Sequence, residues 1–164
     1  MLCSSFSKDL APGYRVGWVV PGRFQSTIEW LKFTSSVATA TLPQRAIAEF
    51  ISSGGYEHHL RRIRRAYAQR IARLTQAIDR YFPQGTKVTR PGGGFVLWVE
   101  LPESVDSLEL YGLALNIGIT LAPGLLFSAN QGYRHFVRLN AAYWSDQAEQ
   151  AIRRLGELIL ELAR

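Results

Sequence analysis

The stretch SSFSKDLAPGYRVGWVV, residues 4 to 20, sets Lys8 among serines and follows it with a proline-glycine turn, Arg15 and an apolar run. A lysine is ordinarily a solvated surface charge. Placed between an apolar strand and a tight turn, its amine could instead condense with a carbonyl to form a Schiff base, given neighbours that lower its pKa or deliver the aldehyde. A carbonyl partner that carries a phosphate dianion would need several hydrogen-bond donors in fixed geometry, which hydroxyls and a guanidinium supply. Ser5, Ser7 and Arg15 are residues of those types around Lys8. A structural ion pair with an Asp or Glu is the plain alternative for Arg15.

Other chemistry-bearing residues read more plainly. Gly92 to Gly94 precede a strand rather than a helix, so they form a tight turn and not a phosphate-binding fingerprint. Arg61, Arg62, Arg64 and Arg65 beside His58 and His59 have the charge of a nucleic-acid patch, but no stacked aromatics or groove-reading motif accompanies them, and a solvated helix face accounts for them. His58 and His59 have no cysteine or carboxylate at zinc spacing, so no metal is expected.

The elements that must position Lys8 and Arg15 follow from the pattern. MLCSSF, KDLAPGY and RVGWVV read as strand, turn and strand, closed by Pro21 and Gly22. An unbroken apolar run such as RVGWVV suits a strand covered on both faces. Residues 24 to 53 read as two helical pieces broken near SSVATATLP. Leu60, Ile63, Tyr67, Ile71, Leu74, Ile78 and Tyr81 then recur in steps of three and four, which predicts one long amphipathic helix. After Pro83, TKVTRPGGGFVLWVELP reads as two short strands around the glycines, and SVDSLELYGLALNIG as a helix capped by Ser or Asp and stopped at Gly118. ITLAPG and HFVRLNAA read as strands, and a closing helix starts from Ser145 or Asp146.

Composition bounds the reading. The 164 residues suffice for a sizeable core, and 47% hydrophobic with 20% charged residues is a globular balance. A formal charge of +6 favours an anionic partner without naming it. Cys3 is the single cysteine, which excludes an intrachain disulfide and favours a reducing compartment. No signal-like leader and no apolar run of about 18 residues is present, so a cytoplasmic protein without a membrane partner is expected.

SSFSKDLAPGYRVGWVVPGRF closely resembles the cofactor-lysine motif of fold type I, aspartate aminotransferase-like, pyridoxal phosphate (PLP) proteins. LPQRAIAEFISSGGYEHHLRRIRRAY, RPGGGFVLWVELP, APGLLF and FVRLNAAYWSDQAEQAIRRLGELI resemble consecutive segments of the second half of that family. The wording is most similar to the aminotransferase-like domain of MocR-type members of the GntR transcriptional regulators, where it follows a winged-helix DNA-binding domain. The resemblance implies an α/β chain: residues 1–55 as the end of the PLP-binding large domain, 56–82 as a connecting helix, and 83–164 as the small C-terminal α+β domain. It makes Lys8 the Schiff-base lysine and catalytic residue, and Ser5, Ser7 and Arg15 ligands of the PLP phosphate. Arg138, on the strand FVRLNAA, matches the arginine that clamps a substrate or effector carboxylate; an arginine on an apolar strand is expected to be buried against such a partner. Asp9 departs from the small hydroxylated residue common after the lysine, and an acid there alters the phosphate environment or caps the turn.

The family takes its pyridine-nitrogen acid and its ring-stacking aromatic from upstream of the lysine, and only seven residues precede Lys8. The expectation is therefore a C-terminal portion of a larger homodimeric protein, inactive and weak in cofactor binding by itself, reaching DNA only through a missing N-terminal domain. Two parents fit: a MocR-like regulator that binds PLP and a small amino acid-like ligand, or a catalytically active class I/II aminotransferase.

Overall fold

The structure is a computed structural model that describes residues 1–164. The chain divides into two compact units, Met1–Ile63 and Arg64–Arg164.

In the first unit, β1 (Leu2–Ser5) and β2 (Gly17–Val20) form an antiparallel pair in which Leu2 faces Val20 and Ser5 faces Gly17. The pairing is close at Gly17, where a side chain would press on the Ser4 carbonyl. Two helices follow, α1 (Gln25–Ser36) and α2 (Thr41–Ser52). They are separated at Val37, whose positive φ of 55° ends the first. Only Val16 and Ile47 of this unit are fully buried. The apolar run RVGWVV is thus not covered on both faces: Trp18, Val19 and Val20 are exposed, and β1 is the one strand that pairs with β2.

The long stripe is helix α3 (Gly55–Tyr81), which starts in the first unit and ends in the second. The second unit is built on a four-stranded antiparallel sheet. Its strands are β3 (Lys87–Val88), β4 (Val96–Glu100), β5 (Ala122–Pro123) and β6 (Phe136–Asn140), in the order β3-β4-β6-β5. The segment ITLAPG contributes only the two residues of β5, which lead into a 3-10 turn over Gly124–Phe127.

Alternation along the strands sorts the two sheet faces. Leu97 lies opposite Leu139 and Val99 opposite Val137, and these four are buried. They pack with Leu74 and Ile78 of α3, Leu110 and Ala114 of α4 (Ser107–Asn116), and Leu155 and Ile159 of α5 (Asp146–Leu162). Each Leu, Ile or Val side chain so removed from water contributes about 1.5–3 kcal/mol, which makes this cluster the main stabilising element of the unit. Asp106 caps α4 by accepting hydrogen bonds from the Leu108 and Glu109 amides, and Ser145 caps α5 by accepting one from Ala148. No helix is long and apolar enough to cross a membrane.

Candidate functional site

Lys8 sits in the connection between β1 and β2. Phe6 accepts hydrogen bonds at its carbonyl from the amides of Leu10 (3.1 Å) and Ala11 (2.9 Å), and its own amide donates to the Val16 carbonyl (3.0 Å). Residues 6 to 11 are therefore wound into a single helical turn anchored at the end of β1. The Lys8 side chain is exposed, while Asp9 is turned inward.

The turn is followed by a 3-10 helix over Pro12–Tyr14, where the fixed φ of Pro12 suits the first helical position. Arg15 closes it in the left-handed region, with φ 52° and ψ 36°. Glycine would hold that conformation at lower cost, so the position retains a guanidinium at the expense of backbone strain. That conformation directs Arg15 back toward the lysine turn, and its Nη1 donates to Ser7 Oγ at 3.5 Å. Neither Arg15 nor Lys8 takes part in an ion pair; the carboxylates that do form pairs meet Lys87, Arg134 and Arg153. The first unit thus presents an exposed amine, a guanidinium free of carboxylates and two serine hydroxyls on one short loop and its strand. This donor set suits a phosphate dianion attached to a carbonyl group.

Arg138 belongs to the second unit. It lies on β6 opposite Trp98 of β4 and Ala122 of β5. Alternation places it on the face away from the core, so it is exposed and not buried as an arginine on an apolar strand was expected to be. An aromatic surface supports it in place of a carboxylate: its guanidinium lies 4.6 Å from the centroid of Phe127. Phe127 in turn meets Trp98 edge-on at 5.4 Å, and Trp98 stacks on Phe136 at 5.5 Å. Arg138 also lines a cavity of about 500 Å³ with Thr120, Asn140, Trp144 and Leu155. A guanidinium resting over a ring, unpaired and beside an apolar hollow can take a carboxylate through two parallel hydrogen bonds.

Two parts of this arrangement escaped the sequence reading. Nothing in the sequence marks Phe127 as a support for Arg138, although period-two alternation in VLWVE and FVRLN puts Trp98 and Arg138 on one face. The partners of Asp9 were also missed. Its Oδ2 accepts a hydrogen bond from the Tyr56 hydroxyl at 2.8 Å, and His59 Nε2 lies 2.8 Å from its backbone carbonyl. The sequence signal was the spacing of Tyr56 and His59, three residues apart on one helix face.

The class I and II aminotransferase family matches residues 1–155, and the chain belongs to that family. Its fold is part of the fold type I architecture. The crystal structure of Pyrococcus horikoshii kynurenine aminotransferase superposes with a TM-score of 0.90 at 33% identity, over 99% of this chain and 41% of that one. Among curated proteins, the uncharacterized HTH-type transcriptional regulator YdcR of Escherichia coli is 42% identical over 97% of this chain and 34% of its own length. The aromatic-amino-acid aminotransferase 1 of Thermococcus litoralis is 31% identical over 96% of this chain and 38% of its own. The chain therefore spans about a third of the length of the curated relatives it matches.

Proposed function

We propose that this chain is the C-terminal part of the PLP-binding effector domain of a MocR-type transcriptional regulator, with Lys8 as the residue that holds the cofactor covalently. The observation that carries the PLP reading is the loop on which Arg15 and Ser7 are hydrogen bonded beside the exposed Lys8. The regulator reading is supported by identities of 42% and 41% to the HTH-type regulators YdcR and YjiR, against 31% to the Thermococcus litoralis aminotransferase.

Bound PLP supplies an aldehyde and an electron-withdrawing ring. Lys8 would hold the cofactor through its exposed amine. Ser5, Ser7 and Arg15 hold the phosphate by donating to its oxygens. Arg138 would bind the carboxylate of an amino acid-like ligand, with Phe127 supporting the guanidinium. In the regulator, ligand binding changes the conformation of a domain dimer and so the DNA affinity of a winged helix elsewhere in the protein. The identity of 33% to a kynurenine aminotransferase whose complex contains PMP favours a second reading, a catalytic aminotransferase. There Lys8 Nζ also removes and returns the proton at the ligand α-carbon.

The test is borohydride treatment of the intact protein followed by peptide mapping. The reduced adduct is expected on Lys8 and absent from Lys8→Ala; an adduct on another lysine removes the assignment. Amino acid turnover with a 2-oxo acid acceptor separates the two parents. A regulator responds to its ligand in DNA affinity without sustained turnover, and an enzyme turns over.

A further inference from the structure

The geometry points to Asp9, Tyr56 and His59 as positioning residues for Lys8, a tether between the lysine turn and the start of α3. This inference rests on the assignment of Lys8 above.

Residues 6 to 11 form one turn closed by the bonds from Leu10 and Ala11 to the Phe6 carbonyl. A single turn in water is unstable, because too few hydrogen bonds compensate the backbone entropy of fixing it. Here α3 holds it at two points of the same residue. Tyr56 donates its hydroxyl to the Asp9 carboxylate at 2.8 Å. His59 Nε2 stands 2.8 Å from the Asp9 carbonyl, and since a carbonyl oxygen only accepts, that nitrogen carries the proton. Tyr56 and His59 share one face of α3, so the helix fixes the spacing of the two donors.

Both donors are themselves braced. Phe6 packs edge-on against Tyr56 with centroids 5.9 Å apart, and Phe50 against His59 at 6.2 Å. The Asp9 Oδ1 atom is buried and has no hydrogen-bond partner within the chain, so the carboxylate is drawn out of water for the one bond it makes with Tyr56. Successive residues of a helical turn point about 100° apart. Pinning Asp9 inward therefore leaves Lys8 facing outward, as its exposure shows. An acid after the lysine thus serves the backbone that carries the amine, from partners 47 and 50 residues away.

The experiment uses the intact protein with Asp9→Ala, Tyr56→Phe, His59→Leu and the conservative His59→Gln, which keeps a donor to the Asp9 carbonyl. Amide hydrogen exchange is followed over residues 6 to 11 without PLP, and circular dichroism in the cofactor absorption band with PLP. Exchange at the Leu10 and Ala11 amides is expected to quicken by about tenfold in the first three variants, the factor that losing one hydrogen bond to a charged or fixed group implies. The cofactor-band dichroism should fall with it, the Asp9→Ala/Tyr56→Phe double variant should be no worse than Asp9→Ala, and His59→Gln should restore both signals. Unchanged exchange in all variants overturns the tether, and a loosened turn with unaltered dichroism overturns its role in positioning Lys8. Persistence of the borohydride adduct in Lys8→Ala overturns instead the assignment on which the inference rests, whatever the exchange shows. Tyr56→Phe removes a single oxygen, which keeps the test decisive if Asp9→Ala does not fold.

Discussion

The guanidinium of Arg138 lies over the ring of Phe127, 4.6 Å from its centroid, on the exposed face of the second unit's sheet. The ring supports the guanidinium, whose N–H donors make no hydrogen bond or ion pair within the chain. Arg138→Lys keeps the charge but loses the planar fork. We expect it to weaken binding of amino acid-like ligands by about tenfold or more, the range of charge-assisted hydrogen bonds. Phe127→Leu should weaken it only a few-fold, since an exposed cation–π contact contributes about 0.5–1 kcal/mol. Titration of the cofactor absorption band with amino acids measures both. Equal affinity in Arg138→Lys and the parent protein would remove Arg138 from the ligand site.

Arg15 and Ser7 bear on a different group. If they hold the phosphate, Arg15→Leu should lower PLP affinity by about 1.5–3 kcal/mol, and Ser5→Ala or Ser7→Ala by about 1 kcal/mol each. The discriminating ligand is pyridoxal, which has the aldehyde and lacks the phosphate. Arg15→Leu should bind pyridoxal as well as the parent protein does. A loss of the same size for both compounds would mean that Arg15 shapes the loop through its left-handed backbone and does not contact phosphate.

Legibility in the sequence followed the range of the interaction. The stripe from Leu60 to Tyr81 predicted α3 because helix periodicity is written into neighbouring residues, and the caps at Asp106 and Ser145 are equally local. The order Ser5, Ser7, Lys8, Arg15 was visible for the same reason. The left-handed backbone of Arg15 was not, since nothing in an arginine announces a positive φ. The bonds from Tyr56 and His59 to Asp9 connect residues that only the fold brings together. Arg138 was legible as a residue, but its support on Phe127 depended on the 3-10 turn over Gly124–Phe127, which the pattern did not resolve. The exposure of Trp18, Val19 and Val20 was hidden for another reason: an apolar composition says that burial is favourable, and not which atoms lie nearby.

Asp106 gives a prediction in pH. Its burial pushes the carboxyl pKa up, but the amide of Leu108, the side chain of Arg134 at 2.6 Å, the amide of Glu109 and the Arg134 charge outweigh that and leave it below the ordinary value. A folded-state pKa below the unfolded one stabilises the fold at pH values above the unfolded value, about 4 for an aspartate. The contribution is lost as pH falls through the lower folded value. Asp106→Ala should therefore be less stable at neutral pH by about 0.5–2 kcal/mol, the usual cost of an N-cap, with the difference closing below about pH 4. Urea unfolding at several pH values measures it. A difference that stays constant down to strongly acidic pH would show that the carboxylate charge contributes nothing.

Two glycines of the second unit should respond to alanine with opposite signs. Gly156 is buried in α5, and a Cβ there would fall inside the contact distance of the Tyr81 carbonyl at the end of α3. The backbone oxygen cannot rotate aside as a side chain can, so the two helices must separate. Overpacking of this kind costs about 1–3 kcal/mol. Gly112 lies on an exposed position of α4, and a Cβ there meets nothing within 4 Å. Gly112→Ala should instead stabilise by about 0.4–1 kcal/mol, because it removes backbone freedom from the unfolded chain in a helical position. Thermal unfolding of both variants tests the packing of α5 on α3 directly: a Gly156→Ala midpoint equal to that of Gly112→Ala would mean that the helices do not approach as closely as Gly156 requires.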